Sequence, residues 1–270
     1  MPDVGAIAAG DPSSPVLLCL HGWGGSRDIW KRFLQRYGPT RYVISVDLPG
    51  TLDTRAPEAW KIEALAAWVL DVADRLQIDR FAIMGHSMGG NLAAYVSALA
   101  PTRVTDVILV DAAIYSDRLD VPKMYLAPGY GKLLLRVARF ASAIAGGFSG
   151  FFTEDQRGGF WRPWLRRCIY FAHHNAHREM TDQLRLMVSS PFDPAKFPRE
   201  TGILVVHGQQ DTVVPVELAH ELVSAIEKNR EGDGADRGRL SLVVYPTANH
   251  SPMDAVPMEF VQDVRTFLDG

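Results

Sequence analysis

Six short apolar runs punctuate the chain, each ending in glycine or polar residues: PVLLCLHGWGG (15–25), RYVISVDLPG (41–50), RFAIMGHSMGG (80–90), RVTDVILVDAA (103–113), GILVVHGQQD (202–211) and LSLVVYPTANH (240–250). Continuous apolar residues without polar alternation predict strands covered on both faces. Segments around 27–37, 60–76, 90–99, 216–228 and 257–268 carry apolar residues three and four apart, as in Leu65, Trp68, Val69, Val72 and Leu76. That is the period of a helix with one buried face. Strand–helix alternation predicts an α/β fold, a mostly parallel sheet with helices on both faces. Gly90, Ala93 and Ala94 supply small side chains where the helix near residue 90 must cross the sheet.

The alternation stops between about 113 and 198, where the chain becomes helical in pattern and rich in aromatics, arginine and histidine. This predicts a core of residues 1–112 and 199–270 with a helical cap, 113–198, inserted after the fourth long strand. The cap segment holds 12 Lys/Arg against 7 Asp/Glu, leaving 16 against 24 for the rest. A positive cap over a negative body suits an anionic substrate or an acidic carrier protein steered toward the core, although a basic face that is merely solvated has the same composition. Within the cap, residues 131–152 are strongly apolar, broken by Arg136 and Arg139. They fit a helix packed on the core, a wall of an acyl pocket, or a lipid-touching surface.

Composition narrows the function classes. The chain has 270 residues, 47% hydrophobic and 22% charged, with a formal net charge of -3. No basic tract interleaved with aromatics appears, which argues against nucleic acid as a partner. Cys19 and Cys168 are the only cysteines, too few for a disulfide framework or a thiolate metal site. His173 and His177 are four apart but lack the glutamate and third ligand of a zinc helix. No metal or organic cofactor is expected. The N-terminus, MPDVGAIAAGDPSSP, has no basic region followed by an apolar core, and no window is apolar enough to span a bilayer. The expected location is cytoplasmic.

The chemistry-bearing residues cluster at the ends of the apolar runs. Gly85-His86-Ser87-Met88-Gly89 puts a serine at a strand-to-helix bend, where glycines make a strained backbone sterically possible and lift the hydroxyl above the sheet. A serine needs a base to take its proton. His250, after the last strand in TANHSPMDAVP, is best placed; His86 adjoins the serine with its side chain directed elsewhere, and His207 lies inside a strand. The base needs a carboxylate to fix its tautomer. Asp211, in HGQQDTVVP, fits the order serine, acid, histidine, and Asp111, ending the fourth strand, is the rival acid. Asp47 precedes the serine and reads as a loop hydrogen-bonding residue. Backbone N–H groups of Met88 and of Trp23, in the loop HGWGGS, are the expected oxyanion hole.

This ordered set, with Asp47-Leu48-Pro49-Gly50, resembles the α/β-hydrolase fold superfamily over essentially the whole chain outside 113–198, a segment that corresponds in position to the family's variable cap. HGWGG with GHSMGG and such a cap also resembles the esterases that cleave pimeloyl-carrier-protein methyl ester in biotin synthesis. One departure is DLPGTLDTR, where family members commonly follow Asp-x-x-Gly with a His or aromatic, then Gly and Ser. The resemblance implies a serine hydrolase cleaving a carboxylic ester, with an apolar acyl group suited to the cap's aliphatic and aromatic residues. The same triad serves thioesterases, carbon–carbon bond hydrolases and perhydrolases. Carbon–carbon hydrolases usually carry Trp after the catalytic His, where this chain has Ser251. A ligand-binding member of the fold without catalysis is the alternative from another class.

Overall fold

The computed structural model of the protein describes residues 5–38, 40–52, 54–131, 133, 174–231 and 237–270. Each of the six apolar runs becomes a parallel strand: β2 (Val16–Leu20), β3 (Tyr42–Val46), β4 (Phe81–His86), β5 (Val104–Val110), β6 (Gly202–Gly208) and β7 (Leu240–Tyr245). A seventh, β1 (Ala6–Ala9), pairs antiparallel with β3 and completes the sheet order β1-β3-β2-β4-β5-β6-β7. The pattern did not predict β1. Four residues, three of them alanine, give little β signal, and the strand exists because the edge of β3 is open to pair.

Successive residues of each parallel strand point to opposite faces, so a continuous apolar run feeds two cores. On one face Leu18, Leu20, Ile44, Val46, Ile83, Val107 and Val205 meet helices α2 (Ile62–Arg75), α3 (Met88–Leu99) and α6 (Val216–Arg230). On the other, Leu17, Cys19, Val43, Met84, Ile108 and Leu204 meet α1 (Lys31–Tyr37) and α8 (Pro257–Asp269). Cys19 is thus a buried free thiol whose ionisation burial opposes. The small residues expected at the start of α3 are needed, since a Cβ on Gly90 would lie 2.5 Å from the Ala112 Cβ.

After β5 the chain leaves the sheet through α4 (Asp120–Leu126), and α5 (His174–Val188) brings it back. This inserted segment is tied to the core. Asn91 Nδ2 donates to Ser190 O at 2.8 Å and Tyr95 OH to Pro191 O at 3.0 Å, while within the segment the Phe192 N–H donates to Ile114 O at 2.9 Å. Arg136, Arg139, Cys168 and His173 lie outside the described residues, as do most of the apolar stretch 131–152 and the His177 side chain. Beyond β7, the short helix α7 (Pro252–Ala255) precedes α8. Among the described residues no helix is long and apolar enough to cross a membrane.

An aromatic cluster packs under α8 on the second face. Phe260 is fully buried, with its ring 6.4 Å from Trp30 and 5.6 Å from Phe33. Phe260→Ala is expected to destabilise the protein by about 3–5 kcal/mol in urea unfolding. A loss under about 1 kcal/mol would mean that the neighbours collapse into the space.

Candidate active site

Ser87 sits at the bend between β4 and α3 with φ 53 and ψ -116, a conformation that side chains other than glycine rarely adopt. Its N–H donates to Val110 O at 2.9 Å, and its carbonyl accepts from Gly90, Asn91 and Ala113. The surrounding glycines make the bend possible. A Cβ on Gly85 would lie 2.1 Å from Gly89 O, and one on Gly89 would lie 2.5 Å from His21 O. Both distances are too short for any side chain.

The loop after β2 passes directly beside this bend, because a Cβ on Gly22 would be 3.1 Å from the Ser87 Cβ. His21 holds the loop there. Its Nε2 accepts the Leu48 N–H at 3.0 Å, so the hydrogen is on Nδ1, which donates to Gly22 O at 2.8 Å. The DLPG loop is in turn anchored by Asp47, which accepts the Arg27 N–H at 2.7 Å and pairs with the Arg27 guanidinium in the interior. The loop reading of Asp47 stands, but its cationic partner was not legible in the sequence. Among the described residues no backbone carbonyl accepts the N–H of Trp23 or of Met88.

The inserted segment reaches the same loops. Trp23 Nε1 donates to Met180 O in α5 at 2.8 Å, and its ring packs 5.5 Å from Tyr125 in α4. Gln183, buried in α5, donates to Pro49 O at 3.0 Å and to the Thr51 hydroxyl at 3.3 Å. The unusual DLPGT sequence therefore supplies a hydroxyl acceptor to α5. Neither Gln183 nor Met180 could be found from sequence, because glutamine and a carbonyl inside a helix carry no motif.

His250 and Asp211 come together from loops after β7 and β6. His250 Nδ1 lies 2.7 Å from Asp211 Oδ2, while Asp211 Oδ1 accepts the N–H groups of Val213 at 2.7 Å and Val214 at 3.0 Å. Burial pushes the Asp211 carboxyl up, but the His250 hydrogen bond and charge, with the two N–H groups, outweigh it and hold the group below its ordinary value. A carboxylate only accepts, so Nδ1 carries the hydrogen and Nε2 keeps its lone pair.

His86 lies against this pair, its ring 4.8 Å from that of His250, and its Nε2 donates to His250 O at 2.7 Å. Burial and then the His250 charge hold His86 at a pKa of about 3, against that hydrogen bond. A neutral imidazole already bonded to a carbonyl is a brace rather than a base. His207, donating to Val214 O at 2.8 Å, likewise packs inside the strand, with burial lowering its pKa.

Asp111 does not meet His250 Nδ1; that position belongs to Asp211. It is wholly buried, sits at φ 43, and accepts the Gly208 N–H on Oδ1 at 2.9 Å. Ligand-type atoms of His86, Asp111 and His250, and of Asp111, His207 and Asp211, fall within 4.8 Å of one another. In each of these three histidines one ring nitrogen already meets a protein oxygen. A cavity of about 480 Å³ lined by Arg80, Thr102, Arg199 and Glu200 opens where the chain enters β4, β5 and β6, at the sheet edge opposite Ser87.

Burial, aided by the Asp211 charge and opposed by the Gly208 N–H, raises the Asp111 carboxyl from 3.8 to about 8. The folded chain then binds one proton more than the unfolded chain between about pH 4 and 8, so this group subtracts stability as pH rises through that window. Asp111→Asn keeps the acceptor and removes the titration. Its stability advantage over wild type is expected to grow by up to about 1.4 kcal/mol per pH unit from pH 4 to 8 and to level off above. A difference that does not change with pH would show Asp111 to titrate normally.

A family model described as alpha/beta hydrolase fold matches residues 15–190. A pimeloyl-[acyl-carrier protein] methyl ester esterase of Nitrosomonas europaea is 24% identical over 261 residues, covering 92% of this chain and 94% of that one. Among solved structures, an enol-lactonase of Burkholderia xenovorans LB400 is similar with a TM-score of 0.73, 19% identity, and 99% and 96% of the two chains covered. So is the 2-hydroxy-6-oxo-6-phenylhexa-2,4-dienoate hydrolase of Rhodococcus sp. strain RHA1, with a TM-score of 0.72, 19% identity, and coverage of 99% and 95%. The strained serine bend, the braced glycine loop and the family match agree: the chain belongs to the alpha/beta hydrolase fold family.

Proposed function

We propose that the protein is a serine hydrolase that cleaves a carboxylic ester through an acyl-enzyme on Ser87. The observation that carries this reading is the 2.7 Å bond from His250 Nδ1 to Asp211. It fixes the tautomer whose Nε2 can take a proton, and the anionic Asp211 stabilises the imidazolium that results. His250 removes the Ser87 proton as the oxygen attacks the acyl carbon. The N–H groups of Trp23 and Met88 receive the developing oxyanion, a contribution of about 3–4 kcal/mol per donor in comparable sites. His250 then protonates the leaving alcohol and activates the water that releases the acid. Trp23 and Tyr125 offer an apolar wall beside the oxyanion loop, which supports an apolar acyl group.

Relatives named as pimeloyl-[acyl-carrier protein] methyl ester esterases support an ester substrate bound to a carrier protein. The positive balance of residues 113–198 supports a carrier that is acidic or a substrate bearing its own negative charge. Among the described cations, Arg118 pairs with Glu221, and Arg178 and Arg185 with Asp182, so the steering charge rests chiefly on other residues. Ser251 in place of tryptophan favours the ester over a carbon–carbon bond.

Turnover of p-nitrophenyl butyrate tests the chemistry. Ser87→Ala and His250→Gln are each expected to lower kcat by on the order of 10⁴-fold or more with folding retained. Residual rates equal to wild type would favour a ligand-binding member of the fold. For the substrate class, kcat/KM for an anionic ester is expected to fall several-fold as salt rises, while a neutral ester is unaffected. Equal salt dependence would remove the steering claim and leave the hydrolase.

A further inference from the structure

Arginines stand at the entries of the parallel strands, at the sheet edge opposite Ser87. Before β3, β5 and β7 each has an acid: Arg41 pairs with Asp269 at 2.8 Å, Arg103 with Asp74 at 2.7 Å and Arg239 with Asp106 at 3.4 Å. Arg80, just before β4, and Arg199, ahead of β6, are exposed and have no carboxylate partner among the described residues. Both line the cavity of about 480 Å³ at this edge, with Thr102, Thr105 and Thr201. The three hydroxyls make no hydrogen bond among the described residues, and Glu200, the single acid of the described lining, pairs with neither arginine. A third cation touches the same wall. Arg230 is 5% exposed and donates only to carbonyls, those of Gly238 at 2.8 Å, Thr201 at 2.6 Å and Pro198 at 3.3 Å, with its Nε buried without a partner. Arg199 in turn donates to Arg230 O at 3.2 Å. Burial, then the Arg199 charge, pulls the Arg230 guanidinium below its ordinary value.

We propose that this cavity binds a small phosphate monoester, its phosphate between Arg80 and Arg199 and its organic body in the remaining space. Guanidinium forks match the oxygens of a phosphate, and threonine hydroxyls donate to those the forks leave over. Three guanidiniums against the Glu200 carboxylate leave a local charge of +2, which a phosphate dianion balances and a single carboxylate does not. The volume falls within the range of small-ligand sites, about 300–1,000 Å³, so the cavity has room for more than the phosphate. Pro101 and Pro198 give that body an apolar contact. The site is separate from the hydrolase centre: β4 and β6 begin beside it and end beside Ser87 and Asp211. It therefore takes a ligand other than the ester substrate, and the inference does not depend on the hydrolase reading.

Isothermal titration of the full chain with phenyl phosphate tests this, with inorganic phosphate and benzoate as comparison probes. One saturable site is expected for phenyl phosphate. Inorganic phosphate, which leaves the body of the cavity empty, and benzoate, which carries one charge, are expected to bind more weakly. Arg80→Gln and Arg199→Gln are each expected to weaken phenyl phosphate binding about tenfold, and the double variant to abolish it. Both side chains are exposed, so the fold is expected to be kept, and thermal unfolding checks this. Glu200→Gln removes the opposing charge and is expected to tighten binding several-fold, an outcome that loss of the fold cannot imitate. No saturable binding by wild type, binding unchanged in the double variant, or benzoate held as tightly as phenyl phosphate would overturn the inference.

Discussion

A serine at φ 53 can be held between a buried strand and a helix only where no neighbouring Cβ opposes it. Every other part of the site depends on that exclusion of atoms. Gly85 faces the backbone of Gly89 across the bend, Gly89 itself lies on the carbonyls of Leu20 and His21, and Gly22 passes the Ser87 Cβ. The strain is held by hydrogen bonds rather than by the local sequence. Val110 accepts the Ser87 N–H and Ala113 donates to its carbonyl, so β5 and the segment after it fix the bend on one side, while Gly90 and Asn91 at the start of α3 donate to the same carbonyl on the other.

The parallel sheet brings the remaining groups to the same edge. Because β2, β4, β5, β6 and β7 all run one way, the segments that follow them emerge together, carrying the Gly22 loop, Ser87, Asp111, Asp211 and His250. Burial there makes charge placement decisive. Among three histidines and two carboxyls, His86 and His207 are held neutral, Asp111 is held protonated near pH 7, and Asp211 remains the anion. The inserted segment acts on the same edge through Trp23–Met180 and Gln183–Thr51, so α5 helps to set the position of the glycine loop after β2 and of the DLPG loop.

The parts of this arrangement that were legible in the sequence are those whose physics is local. A continuous apolar run reads as a covered strand, and glycines around one serine read as a crowded bend. The order of Ser87, Asp211 and His250 along the chain follows from strand order, so it too could be read. The structure brings His250 to Asp211 rather than to Asp111, a choice the residues alone left open. What escaped depends on partners distant in sequence: β1 borrowing the edge of β3, Arg27 neutralising Asp47, Gln183 reaching Thr51, and the packing of Asp111 against two histidines. None of these has a repeat or a spacing to betray it.

The central claim, that an imidazole from the end of the chain activates the hydroxyl at the bend, is tested most directly by covalent labelling. Wild-type protein and His250→Ala are treated with a fluorophosphonate, and the adduct is located by mass mapping of peptides. The account expects one adduct, on Ser87, formed rapidly by wild type and very slowly by the variant. An adduct elsewhere, or labelling of Ser87 at the same rate without His250, would contradict it.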